Sequence, residues 1–383
     1  NWLYSGCVEL EVDADGSSRY SSRDMLVSRE STCTPGEMQG GTVNGFSFAL
    51  DRSNAPDRGV FRFLSTFYTL HLKEEFIMQQ EKIVIIGAGH VGSHCAYALA
   101  HSGVCREIVL TDILPEKAAA QALDVADSVS FLPQDVTVRA GALSECADAA
   151  LVVVAIGETR QPGQTRLDLL GRSIEMLKKL TVQLRPMALT CPVVSITNPA
   201  DIVADYLRKQ LSLPRAQCFS TGTLLDTARL IRSIAQAAGT DRRSVSAFSM
   251  GEHGDSSMVP FSAVTVGGVP FDKLGLDKTA ILTQTRQAGM DIIEGKGSTE
   301  FGIGLSLARL AAAILGDQHR VLPVSVLLEG EYGQQGVHCG VPCRIGRRGI
   351  EEIVVLDLTE EEQQQLDASC QVIRKHIALA DSL

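Results

Sequence analysis

Basic residues are in deficit. The chain carries 35 Lys and Arg against 45 Asp and Glu, a net charge of −10. That balance excludes the broad positive surface that holds a nucleic acid or an anionic membrane. Long apolar runs are missing too: none approaches the roughly 18 residues that cross a bilayer. No continuous apolar stretch near the start resembles a signal peptide, and the early acids Glu9, Glu11, Asp13 and Asp15 do not suit a transit peptide. The ten cysteines follow no framework spacing. Cys95, Cys146, Cys191 and Cys218 fall in apolar segments, which fits free thiols in a reducing cytoplasm. His338, Cys339 and Cys343 lie close together but lack the second ligand pair of a zinc site, so no metal is expected.

What is present is ordinary for a globular protein: 383 residues, 45% hydrophobic and 21% charged, enough for a large core and two subdomains. Residues 1–77 stand apart. They lack sustained apolar periodicity and are rich in Ser, Gly, Arg and Asp, as in SSRYSSRDMLVSRE and ALDRSNAPDRG. The expectation is a disordered or artefactual extension, such as an upstream reading frame joined to a start at Met78.

From residue 82 the pattern becomes regular. KIVIIGAG reads as a short buried parallel strand and runs into Gly87, Gly89 and Gly92, a G-x-G-x-x-G. AYALAHSG follows as a small-residue helix, and EIVLTD is a second strand ending at Asp112, twenty residues beyond Gly92. Each part has a physical reason. Gly87 permits the tight turn, Gly89 admits a pyrophosphate to the backbone, and Gly92 lets helix and strand pack closely. The helix N-terminus offers free N–H groups to the phosphates. Asp112 can accept hydrogen bonds from ribose hydroxyls and would repel a 2′-phosphate, which favours NAD over NADP. A lone glycine motif is weak; both strands and the acid at this distance make it strong.

Strand and helix then alternate. VTVRAG, LVVVAIG, CPVVSITNP and CFSTG read as further strands, with helices at AAAQALDVADSVSF, SIEMLKKLTVQLRP and from Ala200 to about Gln210. The fold class expected is α/β: a doubly wound parallel sheet of the Rossmann type over residues 78–222, then a C-terminal α+β substrate domain over 223–383. Ligands of such sheets lie at the carboxyl ends of the strands. Asn198 and the polar loop GETRQPGQTR (157–166), with Arg160 and Arg166, lie at such ends.

The helix TLLDTARLIRSIA puts Asp226 and Arg229 on one face, three residues apart, where an exposed salt bridge is the plainer reading. His253 sits between Gly251 and Gly254, after one apolar strand-like run and before another; a surface turn is its plainer reading. Together these side chains suit one reaction. Oxidising an alcohol with NAD requires a base for the hydroxyl proton, and histidine titrates in the right range. A buried Asp can hold its tautomer. A guanidinium can grip a carboxylate through two parallel hydrogen bonds, and a second cation can polarise a carbonyl.

At this point the chain resembles the L-lactate/L-malate dehydrogenase family from about residue 80 to 380. IIGAGHVG, PGQTRLDLL, ITNPADI, STGTLLDTARL, GEHGDSS, KGSTEFGIGLSLARL and VLPVSVLLEGEYG occur in family order and spacing, nearest overall to the bacterial lactate branch. The resemblance implies that His253 is the proton donor and acceptor, Asp226 its partner, and Arg229 the group that binds the substrate carboxylate. Arg166 on the loop would polarise the carbonyl. Asn198 would hydrogen-bond in the cofactor and substrate region, Thr299 would line the pocket, and Ile303 would pack near the nicotinamide. It also implies a small 2-oxo or 2-hydroxy acid as substrate and a homodimer or homotetramer.

Two positions bear on the branch and its regulation. Arg160 lies six residues before the loop arginine, where lactate dehydrogenases typically carry Gln and malate dehydrogenases Arg. Opposite pyruvate's methyl group an unpaired guanidinium in a closed site would be costly, which favours malate. GEHGDSS, Thr299 with Ile303, and VLPVSVLLEGEYG favour lactate, and Glu158 can pair with Arg160 and draw it out of the pocket. Lactate is therefore expected first, malate second, and a bulkier 2-oxo acid third. Ile231 and Ser246 replace the Arg and His with which family members bind fructose 1,6-bisphosphate, so no such activation is expected. An NAD-dependent glycosidase would need a Cys/His-held metal, and a non-catalytic NAD-binding protein would have no reason to keep His253, Asp226, Arg229 and Arg166 together.

Overall fold

The computed structural model describes residues 81–157 and 166–383, with 166–169 followed along the backbone only; before residue 81 it describes the backbone of five short strands. The chain divides into two units, Asn1–Phe76 and Ile77–Leu383. In the first, Glu9–Val12 pairs antiparallel with both Ser18–Ser21 and Val60–Arg62, and Met38–Val43 pairs with Phe46–Asp51. The composition of that segment does not announce these pairings.

In the second unit six strands run parallel: β1 (Lys82–Ile86), β2 (Glu107–Thr111), β3 (Thr137–Ala140), β4 (Leu151–Val154), β5 (Val193–Ser195) and β6 (Cys218–Ser220). Their order is β3-β2-β1-β4-β5-β6, the doubly wound arrangement. Crossovers run through α1 (His90–Ser102), α2 (Pro115–Val129), α3 (Arg166–Leu184) and α4 (Ala200–Leu211). Helices cover both faces, so the strands read as continuous apolar runs. Ile83, Val84, Ile85 and Val152–Val154 are fully buried accordingly. The α3 helix begins at Arg166, a full turn and more before the amphipathic stretch read from sequence.

The chain after residue 222, expected as an α+β domain, builds helices and antiparallel strands, and three of those strands extend the same sheet. After α5 (Leu224–Ala238) come a small antiparallel sheet of β7 (Val245–Ser246), β8 (Thr265–Val266) and β9 (Val269–Pro270), then α6 (Lys278–Lys296) and α7 (Phe301–Leu315). Strands β10 (Arg320–Glu329), β11 (Gln335–Gly346) and β12 (Gly349–Ile353) add antiparallel to β6, opposite Ser220 at Ser325, and complete nine strands. Helix α8 (Glu360–Ser382) closes the chain behind a Thr359/Glu362 capping box, whose glutamate also accepts from the amide and hydroxyl of Ser262. Local apolar pattern identifies a strand but not its neighbour, so sequence could not foresee this seam.

Candidate active site

The cradle at the end of β1 needs each of its glycines for a different cause. Gly87 has φ +108, and a Cβ there would come within 2.5 Å of the Ala155 carbonyl beyond β4. A Cβ on Gly92 would lie 1.9 Å from the Gly87 carbonyl. One on Gly89 would meet nothing within 4 Å, because the space above the start of α1 is open. That is the space a pyrophosphate needs, and any larger side chain would project into it. Asp112 spans the rim: Oδ2 accepts from the Ala88 amide at 2.8 Å and Oδ1 from the Leu114 amide at 3.1 Å. It fixes the turn and keeps its remaining lone pairs for a ribose. The residues present therefore fit a dinucleotide.

The runs flanking His253 are not regular strands, contrary to the sequence reading. Met250 and Met258 form one isolated bridge, and Gly251 bridges to Gly340 of β11. What orders the loop is a series of pins from distant elements. Gly251 and Gly340 exchange backbone hydrogen bonds of 2.9 Å. The Glu252 amide donates to Ser369 Oγ of α8 at 2.8 Å, and the His253 amide to Asp201 Oδ2 of α4 at 2.9 Å. Gly251 has φ +89, and a Cβ there would strike Ser369 Oγ at 2.5 Å.

So held, the His253 ring donates from Nδ1 to Asp226 Oδ2 at 2.6 Å. The other Asp226 oxygen accepts from Arg229 Nη1 at 3.0 Å. The side chains of Asp226 and Arg229 are only 15% and 14% exposed, so this is no solvated surface pair. Burial pushes the Asp226 carboxyl up, but His253 and Arg229 outweigh it and hold it below the ordinary value. The charge of Asp226 raises His253 to about 9, against burial and the repulsion of Arg229. A ring that is protonated at neutral pH, with Nε2 free of the Asp226 bond, can deliver a proton to a developing alkoxide.

Arg229 also lines a cavity of about 340 Å³ with Leu225, Ala228, Ala288, Thr299 and Phe301. Thr299 thus lines the same cavity as Arg229. Ile303 lies half-buried in the first turn of α7 and does not line that cavity. Asn198 is exposed at the end of β5, and its carbonyl accepts from Ser173 Oγ at 3.2 Å. Glu158 and Arg160 lie outside the described residues; the backbone of Arg166 opens α3, and its side chain lies outside them too.

The residues weighed for zinc diverge. His338 Nδ1 faces Asp205 at 3.2 Å, and the Cys339 thiol lies 3.6 Å from that of Cys370. Among the described residues, the one trio whose ligand atoms cluster is Asp317, His319 and Glu351, exposed and already engaged by Arg344 and the Arg347 amide. Sequence reasoning passed over Asp201 and Ser369. Asp201 had a signal, an acid three residues past Asn198 in the first turn of a helix; Ser369, on a distant amphipathic helix, had none.

A glycine cradle open to a dinucleotide, and a histidine held against a buried carboxylate and a guanidinium, suit a nucleotide-dependent dehydrogenase of small hydroxy acids. Residues 81–220 match the family profile described as lactate/malate dehydrogenase, NAD binding domain, and residues 223–382 its alpha/beta C-terminal domain. An L-lactate dehydrogenase of Fusobacterium nucleatum is 39% identical over 315 residues, covering 80% of this chain and 99% of that protein. L-lactate dehydrogenase 3 of Bacillus anthracis is 39% identical over 307 residues, covering 77% and 96%. Among solved structures, a lactate dehydrogenase from a Medee basin deep-sea metagenome library superimposes with a TM-score of 0.76 at 35% identity, covering 79% of this chain and 100% of that one. The malate dehydrogenase of Aeropyrum pernix gives 0.74 at 32%, covering 78% and 97%. The chain belongs to the lactate/malate dehydrogenase family. It is an NAD-dependent oxidoreductase acting on the CH–OH group of a 2-hydroxy acid.

Proposed function

We propose that the protein interconverts pyruvate and L-lactate. The observation that carries this reading is the His253–Asp226 hydrogen bond of 2.6 Å, with Arg229 bridging Asp226 to the cavity. Residues 78–222 bind the cofactor and residues 223–383 supply the acid-handling groups. Gly87, Gly89 and Gly92 leave room for the pyrophosphate, Asp112 receives the adenosine ribose, and Asn198 and Ile303 border the nicotinamide. NAD, when bound, supplies the hydride chemistry. Arg229 grips the substrate carboxylate, with Thr299 on the pocket wall. Arg166 polarises the keto oxygen, and protonated His253 donates to that oxygen as the alcohol forms. In the reverse direction neutral His253 takes the hydroxyl proton, and Asp226 stabilises the imidazolium. The names of the relatives, L-lactate dehydrogenase, support this reading over one with oxaloacetate.

Malate is the second reading, and Arg160 is its reason, since a guanidinium there would meet a second carboxylate. The test is NADH oxidation with pyruvate and with oxaloacetate. Higher kcat/KM with pyruvate is expected. A strong oxaloacetate preference that collapses in Arg160→Gln would replace lactate by malate. Fructose 1,6-bisphosphate should leave the KM unchanged, because Ile231 and Ser246 offer no cation to its phosphates.

The protein works as a homo-oligomer in the cytoplasm under this proposal. Gly304 lets α7 lie against α1, where a Cβ would approach the His94 carbonyl at 3.0 Å. The paired helices expose Tyr97, Phe301 and Leu305, a surface suited to a second copy. Eight cysteines of the described residues are free and buried, which suits a reducing compartment. No helix among the described residues is long and apolar enough to cross a membrane. Light scattering at assay concentration, with Leu305→Glu as the disrupting variant, tests the oligomer.

A further inference from the structure

Three consecutive amides fix the His253 loop, and one of them is held by an acid to which the reaction above gives no part. Asp201 lies in the first turn of α4 and is 1% exposed. Its Oδ2 accepts from the His253 amide at 2.9 Å, and its Oδ1 has no hydrogen-bond partner among the described residues. The hydroxyls of Ser220, Thr223 and Ser325, at the seam where β10 joins β6, are likewise buried without partners. Ser325 lies beside the carboxyl without reaching hydrogen-bonding geometry.

Accepting an amide proton does not need a carboxylate. The Ser369 hydroxyl does the same for the neighbouring Glu252 amide. A carboxylate in a dry, underbonded position is costly, and such costs concentrate where a charge has a task. The groups around Asp201 narrow that task. Glu252 in the loop repels it, the Cys339 thiol of β11 stays neutral, and Asp226 and Arg229 of α5 face the His253 ring instead. The one nearby group whose charge changes in the reaction is His253.

We propose that Asp201 is a positioning residue for His253. It fixes the backbone through the amide, and its negative charge favours the protonated ring, so two carboxylates act on the proton carrier, one at its backbone and one at its ring. Asp201 touches no reacting atom and acts only through His253, so the inference rests on the reading of His253 given above. Burial, with the repulsion of Glu252, outweighs the pull of the His253 amide and charge and brings the Asp201 carboxyl up to about 6. Its charge therefore grows across the physiological range, and the favour it lends the protonated ring grows with it.

The test has two arms. In the ¹⁵N-labelled wild-type enzyme, the His253 amide resonance should titrate with a midpoint near 6, as its acceptor ionises. An amide shift that shows no titration step at any pH from roughly 3 to 8 would overturn the proposal. In the second arm, Asp201→Asn keeps an acceptor oxygen and removes the charge. The pH at which pyruvate reduction falls off should move down, with the KM for NADH unchanged. Asp201→Ala should lower kcat at every pH, and Asn should restore part of that loss. Wild-type pH profiles in both folded variants would overturn the proposal, and if the variants do not fold, the wild-type titration decides alone. An enzyme that turns over no 2-oxo acid would fail the functional reading instead, and the amide titration would still decide whether Asp201 answers to His253.

Discussion

The cofactor cradle and the histidine loop are both glycine-rich turns, and they are built in opposite ways. The cradle is contiguous. Gly87, Gly89, Gly92 and Asp112 fall within or just past one strand–helix–strand unit, and the contacts that shape it, apart from those to Ala155 and Ile156, come from residues 82–114. The histidine loop is held from outside: by Gly340 on β11, Ser369 on α8, Asp201 on α4 and Asp226 on α5. A local turn can be set by its own residues. A proton carrier needs a fixed position relative to substrate and cofactor alike, and pins from several elements provide it.

The comparison can be broken at either end. The largest effect on the loop should come from Asp226→Asn, which keeps the shape of the side chain and removes the charge. We expect kcat for pyruvate reduction to fall about 10²–10⁴-fold, with NADH binding intact by fluorescence titration. The cradle should fail differently. In Gly92→Ala the new methyl would overlap the Gly87 carbonyl at 1.9 Å, so NADH affinity and Tm should fall together, with a stability loss of about 1–3 kcal/mol. Ser369→Ala removes the Glu252 pin from a distant helix. It should cost about 1–3 kcal/mol by leaving a buried N–H unpaired, and lower kcat more than it raises the KM for NADH. The smallest effect should come from Thr359→Ala at the α8 cap, about 0.5–2 kcal/mol in a denaturant melt with no change in kcat.

How much was legible follows the same division. The order of strands and helices, the glycine cradle and Asp112 could be read from 82 to 112 because contiguous residues determine them. His253, Asp226 and Arg229 were legible as a set through the motifs around them, and the structure brings all three together. Their mutual geometry was not legible, since a helical Asp/Arg pair and a turn histidine each have a plainer reading taken alone. Asp201 and Ser369 join the loop only through tertiary packing. The joining of β10 to β6 was hidden for the same reason, because an apolar strand does not name its neighbour. The loop bearing Arg160 and the side chain of Arg166 lie outside the described residues.

Protonation gives the sign of the pH dependence. His253 is raised from 6.5 to about 9. The stability it lends is complete below the unfolded value and lost as pH rises through about 9. Reduction needs the protonated ring, so its rate should hold through neutral pH and fall through the same range, while oxidation should rise. The most direct measurement is the pH profile of pyruvate reduction in the wild type and in His253→Gln. The wild type should fall near 9, and the variant should lose about 10²–10⁴-fold in kcat at neutral pH while binding NADH normally. A His253→Gln enzyme with wild-type kcat and the same alkaline limb would contradict the assignment of His253 as the proton carrier.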